Sequence, residues 1–276
     1  MTTLLRVLDL FSGIGGFSLG LERTGCFKTV AFCEIESFPR KVLRKHWQNV
    51  PIYEDVRTLT ADRLSADGIS VDVICGGFPC QDISTAGKGA GIEGERSGLW
   101  TEFSRLIGEI CPQYVIVENV AALLSRGLDK VLGDLAAIGF DAEWHGISAS
   151  AVGAPHRRDR IWIVAHAARV FSDGSGIYGR GDKESASSIS QPRNCSADAA
   201  DTNGTRLERW DLSERIRAEL STVSCAGGWS VEPDVDRVAH GISSRVDRLK
   251  GLGNAVVPQI PELIGRAIIK AHEAAA

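Results

Sequence analysis

Phe78-Pro79-Cys80-Gln81-Asp82 follows a short apolar run, Val71-Asp72-Val73-Ile74-Cys75, that reads as a buried strand. The pentapeptide opens a glycine-rich stretch. A cysteine just after proline, at the mouth of a strand, is where an α/β enzyme holds a nucleophile, and its active form is the thiolate. A second apolar run, Tyr114-Val115-Ile116-Val117, ends in Glu118-Asn119-Val120. A thiol and a carboxyl at the ends of two strands face the same crevice.

A third group lies in the first turn, Asp9-Leu10-Phe11-Ser12-Gly13-Ile14-Gly15-Gly16-Phe17. Glycines after the first strand of an α/β unit let the backbone approach a nucleotide-like cofactor and open a helix. Roughly 20 residues on, Glu34 ends a second strand, where a carboxylate commonly bonds a ribose hydroxyl. The dinucleotide pattern G-x-G-x-x-G is not met, since Gly15 and Gly16 are adjacent and position 18 is serine. A nucleoside cofactor without a pyrophosphate fits better, and a tight structural turn is the plain alternative.

The elements that must position these groups are visible as alternating periods. Strands are expected at Leu5–Leu10, 29–33, 71–75, 114–117 and 161–164. Helices are expected from the glycine turn through Glu22, around Phe38, Val42, Leu43 and Trp47, and over Leu128 to Ile138 with Gly139 as the stop. Continuous apolar strands alternating with helices predict an α/β fold: a mostly parallel, doubly wound sheet covered on both faces. From Phe171 the character changes. Residues 172–205 are rich in Ser, Gly, Asp and Asn and read as long loop or partly disordered connection. A short helical pattern over roughly 206–220 and a helix from Val256 to His272 complete the chain. The simplest division is a catalytic and cofactor-binding domain over 1–167, an insert over 168–243, and a C-terminal segment, 244–276, that returns to the first domain.

The chain has 276 residues, 43% apolar and 24% charged, as an ordinary globular protein has. No run approaches the roughly 18 apolar residues of a membrane span, and the N-terminus lacks a signal peptide's pattern, so a cytoplasmic protein is expected. Seven scattered cysteines without a C-x-x-C pair, and six dispersed histidines, argue against a disulfide framework and a metal site. Cys26, Cys33, Cys75 and Cys111 are expected to be packing residues. Net charge is −4. A protein holding nucleic acid by bulk electrostatics would be basic, so any such role rests on local patches. Arg157, Arg158 and Arg160 form one, and Arg237, Arg245, Arg248 and Lys250 a second. Arg206, Arg209, Arg215 and Arg217 form a third, which reads equally well as a solvated face.

Five motifs occur in series: Phe11-Ser12-Gly13-Ile14-Gly15-Gly16, Pro79-Cys80-Gln81, Glu118-Asn119-Val120, Arg158-Asp159-Arg160 and Gly253-Asn254-Ala255-Val256-Val257-Pro258. Together they resemble the DNA cytosine-5 methyltransferase family of bacterial or phage type, over about 1–166 and 244–270. The resemblance implies a Rossmann-like fold that uses S-adenosylmethionine. It implies transfer of a methyl group to C5 of a cytosine swung out of double-stranded DNA, through a covalent bond from Cys80 to C6. Glu118 would hydrogen-bond or protonate N3, and Arg160 would hold O2, with Arg158 bracing the site or a phosphate. The alternatives are a helix-capping carboxylate for Glu118 and surface positioning for the arginines.

By the same resemblance Phe11 would stack on adenine, and Gly13, Gly15 and Gly16 would approach the methionine end. Glu34, with Ile35 beside it, would take the ribose, and Asp55, with Val56, the adenine amino group. A plain turn carboxylate is the alternative for Asp55. Pro79, Leu99, Asn254 and Ala255 would complete the pocket. The stretch between Cys80 and Leu99 reads as a lid over the extruded base or as a surface loop. Gln81, Ser84, Lys88 and Arg96 there are candidates to touch DNA, as are Arg206, Arg209, Arg237 and Arg245 in the insert, which would read the target sequence. Where many relatives carry glutamine before the arginines, this chain has His156.

The family context admits a cognate restriction endonuclease, and a monomer is expected. An enzyme of the same fold acting on tRNA is the nearest alternative, but the variable region lacks the Cys-Phe-Thr motif such relatives carry. An inactive DNA-binding relative is the other, opposed by the intact Cys80, Glu118 and Arg160. A Rossmann dehydrogenase would share only the first turn.

Overall fold

The computed structural model describes residues 4–79, 99–167, 212–222 and 245–274. Among them, seven strands form one sheet: β1 (Leu5–Leu10), β2 (Phe27–Cys33), β3 (Ile52–Tyr53), β4 (Val73–Gly76), β5 (Tyr114–Val120), β6 (Phe140–Ile147) and β7 (Arg160–Ala167). Their spatial order is β3-β2-β1-β4-β5-β7-β6. The first five are parallel, and β7 runs antiparallel to both β5 and β6. The helices are α1 (Gly16–Glu22), α2 (Ser37–His46), α3 (Ala61–Ala66), α4 (Leu99–Ile110), α5 (Leu123–Arg126), α6 (Leu128–Ile138), α7 (Leu212–Thr222), α8 (Arg245–Asn254) and α9 (Gln259–Ala274).

The sheet separates two apolar layers, because β1, β4 and β5 are buried on both faces and send alternate side chains each way. Leu8, Leu10, Ile74, Val115 and Val117 point to the layer holding Trp100, Phe103 and Leu135. Val7, Val73, Cys75 and Ile116 point to the layer holding Phe17, Leu21, Ile264 and Ile268. Strand order reverses between β1 and β4, and in such sheets the crevice outside the carboxyl ends at that switch is where ligands bind.

Several elements differ from the sequence expectation. The strand expected at 114–117 continues through Val120, so Glu118 lies inside β5 and caps no helix. β6 was not expected, because it is an edge strand with an alternating, largely polar face and no continuous apolar run. α8 was not expected either: Val246, Leu249 and Leu252 are exposed and form no core stripe. α9 begins at Gln259 rather than Val256, because the stretch before it, ending in Pro258, packs its carbonyls closely on Gly16 and Gly20 of α1 instead of continuing as helix.

The helix expected near 206–220 occupies 212–222 and packs Ile216 and Leu220 into the second layer. Cys33 and Cys75 are buried, as packing residues are, and burial pushes both thiols up, Cys33 to about 12. Cys26 is partly buried, whereas Cys111 stands exposed just after α4 and is no packing residue. No described helix is long and apolar enough to cross a membrane. No cluster of three or more His, Cys, Asp or Glu among the described residues could hold a metal ion.

Candidate active site

Parallel strands deliver their following loops to one edge of the sheet. The glycine turn leaves β1 there, Glu34 follows β2, Pro79 follows β4, and Glu118 sits near the end of β5. β7 is antiparallel, so its first residue, Arg160, starts at that same edge, opposite Val120. Chain direction alone thus brings five sequence-distant segments together.

The catalytic half is built around Glu118. Arg160 Nε lies 2.9 Å from Glu118 Oε1, and their side chains are only 23% and 14% exposed. Burial pushes the Glu118 carboxyl above its ordinary range, while the charges of Arg160 and Arg158 and the hydrogen bond from Arg160 pull it back. The result is a carboxyl with raised proton affinity beside a fixed cation. It can donate a hydrogen bond in its acid form, and the guanidinium can stabilise negative charge that develops next to it.

Two residues that sequence reasoning missed shape this half. A Cβ built at Gly77 would stand 2.7 Å from Glu118 Oε2, so a side chain there would displace the carboxyl. Asn119 is buried and its Nδ2 donates to the carbonyl of Phe78, 3.1 Å away, while its Oδ1 accepts from the Val120 amide. Phe78 is anchored on Trp100, whose indole N–H donates to Asp134. The run leading into position 80 is therefore pinned from β5. The only sequence signal was a buried-strand motif ending in a polar amide.

The other half of the candidate site is built around Glu34, which is 7% exposed. Its Oε2 accepts from the Gly13 amide and its Oε1 from the Glu36 amide, both at 2.7 Å. Burial pushes this carboxyl up too, opposed by those two amides and by Arg40. Gly13 has φ 53° and Gly15 φ 87°, in the left-handed region where glycine is at ease. A Cβ at Gly15 would also meet the Trp47 ring at 2.6 Å, and one at Gly16 would meet the Val256 carbonyl oxygen at 2.5 Å.

Among the described residues nothing lies within 4 Å of a Cβ built at Gly13, so the backbone there is open toward them. Ile35, next to Glu34, is 61% exposed. Each carboxylate oxygen has a second lone pair for a hydroxyl. An open glycine turn, a sheltered carboxylate and an exposed apolar side chain fit the nucleoside portion of S-adenosylmethionine. Phe11, at φ 51°, stacks on Phe103 with ring centroids 6.3 Å apart.

The remaining predicted residues divide. Asp55 takes hydrogen bonds from the Arg57 amide and guanidinium, which hold its carboxyl below the ordinary range. Val56 is buried, Pro79, Leu99 and Ala255 are partly buried, and Asn254 is exposed at the end of α8. Arg158, whose charge also acts on Glu118, turns its two terminal nitrogens to the stretch after α8. Its Nη1 donates to the Gly253 carbonyl at 2.7 Å and its Nη2 to that of Ala255 at 2.8 Å. Cys80, Gln81, Ser84, Lys88, Arg96, Arg206, Arg209 and Arg237 lie outside the described residues, and of Arg245 only the backbone is described.

Comparison with known proteins adds three findings. A family model described as C-5 cytosine-specific DNA methylase matches residues 5–224. Type II methyltransferase M2.BsuMI of Bacillus subtilis is 34% identical over 169 residues, covering 58% of this chain and 42% of its own. Type II methyltransferase M.CviJI of Paramecium bursaria Chlorella virus IL3A is 36% identical over 162 residues, with the same coverages of 58% and 42%. The chain spans less than half the length of these relatives. Among solved structures, Entamoeba histolytica methyltransferase EhMeth aligns with a TM-score of 0.52 at 16% identity, covering 66% of this chain and 58% of that one, a likeness of fold.

Proposed function

The chain belongs to the C-5 cytosine-specific DNA methylase family, and from that membership we propose that it methylates C5 of a cytosine at a specific DNA sequence. The methyl donor in this reading is S-adenosylmethionine, in keeping with membership of a DNA methylase family. The observation that carries the reading is the sheltered Glu118–Arg160 pair, set beside the strand-end run that leads into Cys80.

C5 of neutral cytosine is a poor nucleophile. In the proposed reaction the Cys80 thiolate adds to C6, and the π electrons of the C5–C6 bond shift into the ring. Glu118 donates a proton or hydrogen bond to N3, and Arg160 holds O2, so the charge developing there is neutralised. The ring is now an enamine whose C5 is nucleophilic. S-adenosylmethionine, when bound, supplies an electrophilic methyl group. Once C5 has taken that methyl, with S-adenosylhomocysteine as the leaving group, a solvent base accepts the C5 proton, N3 returns its proton to Glu118, and the thiolate departs, restoring the aromatic ring. Asn119 and Gly77 keep the nucleophile's run and the Glu118 carboxyl in register, Gly13 faces the donor's methionine end, and Glu34 holds its ribose. The base must leave the stack to reach Cys80, at a cost of a few kcal/mol.

In this reading residues 1–167 carry catalysis and cofactor, 168–243 read the target sequence, and 244–276 return to the catalytic domain. Double-stranded DNA is the partner. The type II names of the relatives support a place in a restriction–modification system, and we extend the proposal to a cognate endonuclease and to a cytoplasmic monomer. The test is transfer of a tritiated methyl group to a mixture of DNA and tRNA. Label in DNA, lost in Cys80→Ala, is the expected result. Label confined to tRNA, no label, or label that survives Cys80→Ala overturns it.

A further inference from the structure

Arg158 stands in the loop that leads into Arg160 on the base-side wall of the site, yet both its terminal nitrogens are spent elsewhere. They donate to the carbonyls of Gly253 and Ala255, on the stretch joining α8 to α9. That stretch forms the far side of the glycine turn. The Val256 carbonyl oxygen lies where a Cβ of Gly16 would be 2.5 Å away, and the Pro258 carbonyl packs as closely on Gly20 of α1. Gly251 sits against Phe38 and Ile14, with 3.5 and 3.6 Å from its Cβ position. At the other end Lys250 pairs with Glu36 at 2.9 Å. The amide of Glu36 holds Glu34, and Glu34 holds Gly13. The segment from Lys250 to Val256 therefore runs along the open turn, fastened by Lys250 at one end and by Arg158 at the other.

We propose that Arg158 is a positioning residue for the cofactor, acting through the carbonyls of Gly253 and Ala255 rather than on the base or a DNA phosphate. The inference rests on the reading that the glycine turn takes S-adenosylmethionine. A guanidinium fork matches two carbonyls one residue apart from each other, which an ammonium cannot do with one nitrogen in the same geometry. Because Arg158 and Arg160 share one short loop, the clamp also ties the wall that holds the donor to the wall that holds Glu118. Affinity for the donor and placement of the base-side arginine are then linked, and linkage between two sites is reciprocal.

The test uses the full chain and two variants, Arg158→Ala and Arg158→Lys, each first checked for a wild-type circular dichroism spectrum. Amide hydrogen exchange over residues 250–258 is measured without ligand or DNA. Binding of S-adenosylhomocysteine, an inert product, is measured by calorimetry without DNA. Removing the clamp is expected to speed exchange across 252–257 and to weaken S-adenosylhomocysteine roughly tenfold, less than the full worth of the two lost charge-assisted hydrogen bonds because they act on the ligand only through the stretch they hold. Arg158→Lys, which folds with its charge intact, is expected to recover part of both.

Unchanged exchange in Arg158→Ala overturns the clamp. So does unchanged affinity for S-adenosylhomocysteine accompanied by weaker binding to DNA, which would return Arg158 to a phosphate role. If the wild-type protein itself fails to bind S-adenosylhomocysteine, the cofactor reading fails instead, and the ligand-free exchange comparison still decides whether Arg158 holds the stretch.

Discussion

Asp9 carries the least expected chemistry of any single residue. It lies in β1, wholly buried, two positions before Phe11, where the strand gives way to the glycine turn. Ser18 donates to its Oδ2 through both hydroxyl and amide, while Oδ1 has no hydrogen-bond partner. Burial pushes its carboxyl up to about 8 against the pull of those two bonds, and Glu34 and Glu22 add to the rise. An acid whose proton is held more tightly in the folded state makes folding less favourable as pH rises. Below the unfolded value of about 3.9 both states are protonated and there is no effect. Between there and about 8 the unfolded chain sheds a proton that the folded chain keeps, so stability falls with pH, and above 8 it levels off. Asp9→Asn keeps an acceptor for Ser18 and cannot titrate. Its melting temperature relative to wild type is expected to climb steadily from pH 5 to pH 8. A difference independent of pH would show that Asp9 is ionised in the folded protein.

Among the elements, the fit of the C-terminal stretch against α1 turns on glycine at two places, and a third glycine provides the contrast. Gly16 has no room: its Cβ would meet the backbone carbonyl of Val256, which moves only if the whole stretch moves. Gly133 is exposed on α6, has nothing within 4 Å of its Cβ position, and lies at ordinary helical angles. Gly16→Ala is therefore expected to lower stability by about 1–3 kcal/mol through overpacking. Gly133→Ala is expected to raise it by about 0.4–1 kcal/mol, by restricting the unfolded chain. Urea unfolding midpoints of the two variants should move in opposite directions. Equal shifts would mean that the stretch yields.

The same elements show what a sequence can and cannot disclose. β1, β2, β4, β5 and β7 were legible because strands buried on both faces are continuous apolar runs. β6 was not, since one of its edges has no strand beside it and its residues alternate with solvent. The pentapeptide at 78–82 and the motif at 118–120 pointed to one crevice, and the Glu118–Arg160 ion pair lies in it. The bonds from Asn119 to Phe78 and from Arg158 to Gly253 were illegible, because they join residues 41 and 95 positions apart by geometry alone.

For the molecule as a whole, charge sets the terms on which it meets a polyanion. With a formal net charge of −4, the summed field of the protein opposes DNA at long range, so attraction must come from cations placed at the site. The stretch from Arg157 to Arg160 looks like a basic patch in sequence, but Arg160 is committed to Glu118 and Arg158 to the C-terminal stretch. Arg157 alone of the three projects outward, its side chain 84% exposed and in contact with Asp159 at 3.2 Å. Of this loop's arginines, one is then left for a phosphate in the absence of a target base. Each phosphate contact contributes about −0.9 to the slope of log affinity against log salt, so random duplex DNA should show a slope of about −2 to −4. Arg157→Ala should make that slope shallower by about one, while leaving the melting temperature of the protein unchanged within about 1 °C, since surface substitutions rarely shift stability by more than about 0.5 kcal/mol. Filter binding or fluorescence anisotropy between about 50 and 200 mM salt reads both quantities. A slope steeper than about −6, or one that Arg157→Ala leaves unaltered, would mean that cations other than those of this loop dominate the encounter with DNA.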